Sequence, residues 1–493
     1  MDSIDSAVTK ILEIADAQDY TIYIDGQLTT TQSMNKGLLT KAYAKSITIM
    51  GKNGIDSATG EPNDGLVGSY TQYTNGNMLK IATPVPITIK NLKISGGYSS
   101  GGGIDIGGAV YGNTTKIPSD VTLGEGTLVT QNESGTSGAG VYVNVNSKLT
   151  IDGAVITKNT NKDGQGAGVY FAGKTLVIKG DSIISLNECS YTSSGYSAVY
   201  CAYDSSNNGS TITITENAQI TGNKVTGVRV TGSTFELSGN AKITNNENQS
   251  TSTQFEGVGA GLVLMKGSTS VSCVATISGN AEISGNKTIN SSGSGAGVYV
   301  VTSYCTLNIT GGSIKNNSAY ASGAGIRIRE GTVNMSNGEI SGNTVTGSNG
   351  KGAGVLITST TSASAKLNMT GGIITGNTFQ SSGTGRGVYV DNTVYNYDNT
   401  TSSFSMGGSA KVASDNDIYL MTGTVSASTP QPVITITSAL TDSGPFGAIT
   451  LQSYSLGYKV LSGSKANVEN SASKFTLSDS AWKIDADGEL MAN

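Results

Sequence analysis

Apolar and polar residues alternate in short runs along most of this chain, and the runs recur. Residues 294–343 hold two rounds of one pattern: a GAGVYV-like run, a polar link, an LNIT-like run, Gly-Gly or Asn-Gly, then an IxxN run. Alternation over about four to eight residues, rich in Val, Ile and Thr and bounded by turn residues, predicts half-buried strands. Self-similarity at a period of about 20–50 residues predicts a stacked repeat, each unit burying its apolar face against its neighbours.

From Val121 the period is regular. First runs begin near Leu149, Leu176, Leu307, Val333 and Leu367, and second runs close on Asn159, Asn187, Asn223, Asn246, Asn286, Asn317, Asn343 and Asn377, with a looser copy at Asn416. Third runs include GAGVYV at Gly138 and Gly295, GAGIRI at Gly323 and GAGVLI at Gly352. Three short strands per repeat, with no helix between them, predict an all-β fold: a single right-handed parallel β-helix of about a dozen rungs. Alternation assigns the faces: Leu307 and Ile309 point inward and Asn308 outward, and Val298 and Val300 point inward and Tyr299 outward. The recurrent asparagines are expected to stack as an amide ladder along the axis. Glycines before each third strand allow positive φ or close packing at the corner.

A clear helical period occurs only over residues 3–19, where Ile4, Ala7, Val8, Ile11, Ile14 and Ala15 share a face and Asp2 or Ser3 can cap the start. This segment, residues 1–19, is expected to cover the open first rung. Less regular rungs are expected over 20–120, with strands at 21–25, 46–50, 78–82 and 87–95 and a long Gly/Asn/Ser-rich loop at 53–77. Regular repeats fill 121–420. Degenerate rungs and a cap follow over 421–493, with strands at 433–437, 448–452, 459–463 and 474–478, and Trp482 closing the last rung.

Composition narrows the chemistry. Charged residues are 13% of the chain and the net charge is -5, and no basic run suits phosphate neutralisation, which argues against nucleic-acid binding. The chain has 0 histidines, so the commonest metal ligand and general base is missing; no metal site and no cofactor are expected. Cys273 and Cys305 hold equivalent places in adjacent repeats. Parallel stacking puts their Cα atoms about 4.8 Å apart, inside the disulfide range of roughly 4.4–6.8 Å, so they form either a disulfide or a stacked pair of free thiols. No run is apolar enough to span a membrane; either the protein is cytosolic or its export signal has been removed, and the low charge favours the second, with the protein extracellular or at a bacterial cell surface.

Two sets of residues could carry function. The outward position of the third strand holds Tyr142, Tyr170, Tyr200, Arg229, Tyr299, Arg327 and Tyr389, with Arg329 beside it. Tyr and Arg supply contact energy at interfaces, and flat rings suit sugar faces; alternatively the tyrosines stack on one another beneath neighbouring loops. The longest loop between second and third strands, residues 247–258, carries Phe255. The acids (Asp152, Asp163, Asp181, Asp204, Glu236, Glu256, Glu282 and Glu339) sit at unrelated repeat positions, so no carboxylate pair stands out for glycoside cleavage.

The GGAVY, GAGVYV and ISGN/ITGN motifs resemble the GGA[ILV] and FxxN repeats of chlamydial polymorphic outer-membrane proteins, and more closely the β-helix surface-protein repeats of spirochaetes and gut bacteria. The ending DNDIYL…VITITSAL…GYKVLSG…FTLSDSAWKIDADGEL is similar to the carboxy-terminal part of such proteins. The resemblance runs over 121–493, more loosely from Tyr20, and includes no counterpart of the chlamydial autotransporter barrel. It implies a right-handed parallel β-helix, export and adhesin-like duty. The resulting expectation is a non-enzymatic surface or secreted protein that binds host or microbial glycans or proteins through a lateral face. A carbohydrate-active enzyme acting through carboxylates and a purely structural stalk are the alternatives.

Overall fold

The structure, a computed structural model, describes every residue except 1–2, 35–38, 72, 110–115, 192–195, 204–208, 252–257, 269–270, 361–362, 393–400 and 422–431. The chain divides into two compact units, Met1–Phe235 with Asn240–Lys242, and Glu236–Gly239 with Ile243–Asn493. Each is a parallel β-helix built from three ladders of strands, as the alternation predicts.

In the first unit, one rung runs from strand Ala44–Gly51 through Gly65–Val67 and Leu79–Ile81 to the next, Ile87–Lys90. The strands pair in parallel and in register, so that Ile47, Ile87, Val121, Leu149, Leu176 and Ile212 stack along the interior of the first sheet. Stacking like on like buries each aliphatic side chain completely, and such burial is worth roughly 1.5–3 kcal/mol per residue against exposure. Strand Gly65–Val67 lies inside the segment expected to be a long loop. It pairs with Gln27–Leu28 on one side and Lys93–Ser95 on the other, burying Leu66. The residues before it are organised by Asp64, whose carboxylate accepts hydrogen bonds from the backbone of Gly26 and Asn53 and from the Asn53 side chain.

Helix α1, Ile4–Ile14, is capped by Ser3, whose hydroxyl accepts from the Ser6 N–H at 3.0 Å. It buries Ile4, Ala7, Val8 and Ile11 and accepts an anchor from the first rung, the Ile4 N–H donating to Gln32 Oε1 at 2.8 Å. The helix is shorter than expected. Ala15 adopts a left-handed φ of 52° and ends it, Ile14 is half exposed, and strand Gln18–Ile24 begins within the expected helical segment.

The second unit repeats the scheme. Its first-sheet register runs Ala275, Leu307, Val333, Leu367, Phe404 and its third-sheet register Val298, Ile326, Val355, Val388, Ile418. Its end differs from the expectation. Helix α2, Lys465–Ala472, follows the strand Leu461–Gly463 and buries Val468, Ser471 and Ala472. Residues 474–478 make only a single bridge, Ile449 to Leu477, where a strand was expected. Trp482 belongs to a hairpin, Trp482–Ile484 with Leu490–Ala492.

Several rungs of each unit also carry a short fourth strand after the ladder asparagine. In the second unit these are Glu247–Asn248, Lys287–Thr288, Ser318–Ala319, Thr344–Val345 and Thr378–Phe379. Ala319 and Val345 pack with Ala296, Ala324, Ala353 and Phe379 into a small separate core. That core fixes the loops entering the third strand, which become one wall of the site described next.

Candidate binding cleft

The asparagines form the expected ladders. In the first unit Asn132, Asn159, Asn187 and Asn223 are fully buried, each side-chain amide donating to the next Oδ1 at 3.0 Å. In the second unit Asn246, Asn286, Asn317, Asn343, Asn377 and Asn416 do the same at 2.8–3.0 Å. Each Oδ1 also accepts the backbone N–H of the previous asparagine, as Asn317 does from Asn286 at 3.0 Å. Their whole hydrogen-bonding capacity is spent inside the coil, so none is available to a ligand.

The tyrosine and arginine stripe occupies the predicted register but is mostly covered. In the first unit the Tyr142 and Tyr170 rings stack at 4.7 Å with planes 8° apart, and Tyr170 and Tyr200 lie at 5.5 Å. Tyr200 pairs in register with Arg229, which is buried. In the second unit Tyr389 stacks on Tyr419 at 4.9 Å. Tyr299 and Tyr389, expected to face outward as binding groups, are buried: Val258, Val263 and Val301 lie over Tyr299. Burial pushes both phenols up, so they stay protonated. The side chains do leave the strand on its outer face; the loops entering and leaving the third strand then fold back over them. Phe255 lies outside the described residues, as do Asp204 and Glu256. Arg329 is half-buried against Glu330, 3.3 Å away.

Cys273 and Cys305 are register partners at the interior start of the first strand, and both are buried thiols that are not joined in a disulfide. A hydrogen bond with Cys273 holds the Cys305 thiol below its ordinary range. Two close pairs of acids, Asp415 with Asp417 and Asp485 with Asp487, lie near the end of the chain, and three of the four carboxylates accept from the backbone: Asp415 from the Gly376 N–H, Asp417 from the Arg386 N–H, and Asp485 from the Asp487 and Glu489 N–H groups. Among the described residues no three His, Cys, Asp or Glu side chains converge as metal ligands.

One part of the stripe opens to solvent. In the second unit a cleft of ≈ 360 Å³ lies between the third-strand face and the loops that enter it. Its floor is Arg327, Leu356, Thr358 and Asp391, from three successive rungs; its wall is Ser291, Tyr320, Ser322, Ser348, Asn349 and Lys351. At about 4.8 Å per rung, the loops and strands involved span about 14 Å along the axis. The wall is itself stacked, with Ser294, Ser322 and Lys351 forming parallel bridges. The Arg327 guanidinium lies 5.2 Å from the centre of the Tyr299 ring, and the Lys351 ammonium 5.1 Å from that of Tyr389. Lys351 also pairs with Asp391 at 3.4 Å, whose side chain is 10% exposed. The buried tyrosines thus act as platforms that orient two cations. Tyr320 is 43% exposed at the rim.

Tyr320, Asn349, Lys351 and Asp391 were not singled out by sequence reasoning. For Tyr320, Asn349 and Lys351 the signal was the variable loop after each ladder asparagine, but the longest such loop pointed to Phe255 instead; Asp391 ends the third strand Val388–Asp391. A second hollow, of ≈ 390 Å³, lies between α1 and strand Gln18–Ile24. Its walls mix apolar side chains such as Ile11 and Ile14 with polar ones such as Ser3 and Thr21, and its charged groups are already paired, Lys10 with Glu13 and Asp25 with Lys52. Larger though it is, it offers less chemistry than the lateral cleft.

Comparison with protein-family models, curated proteins and solved structures found no match to this chain.

Proposed function

We propose that this is a non-enzymatic, exported, adhesin-like bacterial protein that binds extended glycans in the lateral cleft of its second unit. The observation that carries the reading is the make-up of that cleft. Hydroxyls of Ser291, Ser322, Ser348 and Thr358, the Asn349 amide, an exposed Tyr320 ring and two fixed cations line a groove several rungs long. Hydroxyls and amides match sugar hydroxyls as donors and acceptors, and an exposed ring can cover a sugar face. A groove built by stacking rungs has a repeat along its axis, which suits a polymer with a repeat of its own. Export and surface duty rest on the low charge of the chain and on the motif resemblance to bacterial surface β-helix proteins.

Carboxylate-based cleavage is the weaker reading. Asp391 is the one acid among the cleft-lining residues and is bound to Lys351, whereas glycoside hydrolysis needs two carboxyl groups about 5–10 Å apart. The test is a screen of the full chain against glycans and polysaccharides with simultaneous product detection. Retention of a polysaccharide without new reducing ends, weakened by Tyr320→Ala, is the expected result. Release of products, or binding indifferent to Tyr320→Ala and Lys351→Ala, overturns the reading.

A further inference from the structure

Eleven lysines among the described residues are neutralised by acids, commonly on an adjacent rung. Lys52 pairs with Asp25 at 2.6 Å, Lys93 with Glu61 at 2.6 Å, Lys179 with Asp152 at 3.0 Å, Lys315 with Glu282 at 3.2 Å and Lys411 with Asp442 at 3.1 Å. Inside the cleft, Lys351 has Asp391. Arg327 breaks this habit. Its guanidinium lies over the Tyr299 ring, yet it makes no ion pair or hydrogen bond with any described residue, and its Nε is buried without a partner. A guanidinium held in one orientation, partly desolvated and uncompensated, costs free energy in the empty cleft. Supplying a carboxylate or sulfate there recovers that cost through paired N–H···O bonds.

We infer that the ligand of this cleft is an anionic glycan whose carboxylate or sulfate groups seat on Arg327. The inference rests on the glycan reading above. The charge balance of the lining agrees: Arg327 and Lys351 against Asp391 leave one net positive charge on a chain whose net charge is -5. Lys351, paired and stacked on Tyr389, orients the neighbouring wall, while Arg327 supplies the unmatched charge. Asn349, exposed at the rim with a left-handed φ of 58°, gives a second handle on the same field. Asp tolerates that backbone conformation as Asn does, so Asn349→Asp adds a negative charge to the cleft without disturbing the floor.

The test is calorimetric titration of the full chain with four probes: a hyaluronan oligomer, its methyl ester, a sulfated galactan oligomer lacking uronate, and a neutral cello-oligosaccharide. We expect the hyaluronan or the sulfated oligomer, and whichever of them binds identifies carboxylate or sulfate as the group read, to bind at least about tenfold more tightly than the uncharged probes. Arg327→Gln should abolish that preference. Asn349→Asp should weaken the charged probes more than the uncharged ones, which keeps the test intact if Arg327→Gln unfolds the chain. Equal binding of charged and uncharged probes, or a preference that survives both substitutions, overturns the anionic ligand while sparing the glycan reading. Binding of none of the four overturns both.

Discussion

The buried asparagines show how one residue type holds a rung. Asn317 accepts from the Asn286 backbone and side chain and donates to Ile283 O and Asn343 Oδ1, all at about 3.0 Å. Replacing it by Ala leaves the Asn286 N–H and one hydrogen of the Asn286 side-chain amide buried without their shared acceptor, at about 1–3 kcal/mol each. Asn317→Ala should therefore lower the stability of its unit by roughly 3–5 kcal/mol, read as a shift in the urea midpoint. Two acids of the first unit make opposite predictions about pH. Burial raises the Asp64 carboxyl, but the hydrogen bonds from Asn53 and Gly26 together outweigh it, so its folded value lies below the ordinary one. Its contribution is then full above the unfolded pKa of about 3.9 and is lost as pH falls through the lower folded value. For Asp105, burial dominates over the attraction of Lys80 and the hydrogen bond from Asn144, and the folded value is raised. Its contribution is full below about pH 3.9 and is lost as pH rises through the folded value. Thermal melts should show Asp64→Asn destabilising near neutral pH with the gap closing in acid. Asp105→Asn should stabilise near neutral pH, and that gap should close in acid too.

At the scale of the element, the GAG corner uses its two glycines differently. Gly295 has φ +64°, a conformation that costs a side-chain-bearing residue roughly 1–2 kcal/mol. Gly297 has an ordinary φ, but a Cβ there would stand 2.4 Å from the Gly325 carbonyl oxygen of the next rung and 2.9 Å from the Asn317 amide nitrogen. Gly261, Gly325 and Gly354 are hemmed in the same way, by the carbonyls of Gly297, Gly354 and Gly387. Gly297→Ala should thus cost about 3 kcal/mol, and Gly295→Ala, which adds a Cβ contact of 2.8 Å with Tyr299 Cβ to its torsion strain, a comparable amount; melting of the two variants measures both. These corners were legible in the sequence because the repeat aligned them. Elements outside the repeat were not. Strand Gly65–Val67 has a single fully buried aliphatic, Leu66, and its place is dictated by the strands above and below it rather than by its own pattern. Helix α2 has two apolar anchors, Val468 and Ala472, in an otherwise polar segment, and it forms because it covers the strand Ile434–Leu440. Tyr299 was assigned the correct side of its strand and the wrong exposure. Alternation gives the direction a side chain leaves the backbone and says nothing of the loops that return over it.

On the scale of the whole molecule, the distribution of charge separates what stabilises the fold from what is free to bind. The cross-rung pairs are mostly exposed, with Lys52 and Asp25 more than half accessible and Lys224 and Glu188 similarly placed. Pairs of this kind contribute little to stability and are screened by salt. Stability rests instead on stacked aliphatics and neutral amide ladders, which salt does not screen. The urea midpoint of the full chain should therefore move little between low and about 1 M sodium chloride. Binding of an anionic oligosaccharide should behave otherwise. Arg327 is uncompensated by any described residue, and its attraction for an anion has to reach partly through solvent at the open cleft. Affinity for the charged probe should fall steeply over that same salt range while affinity for its methyl ester stays level. A fold whose own stability proved as salt-sensitive as the binding would mean that the surface ion pairs, rather than the ladders, hold the rungs together.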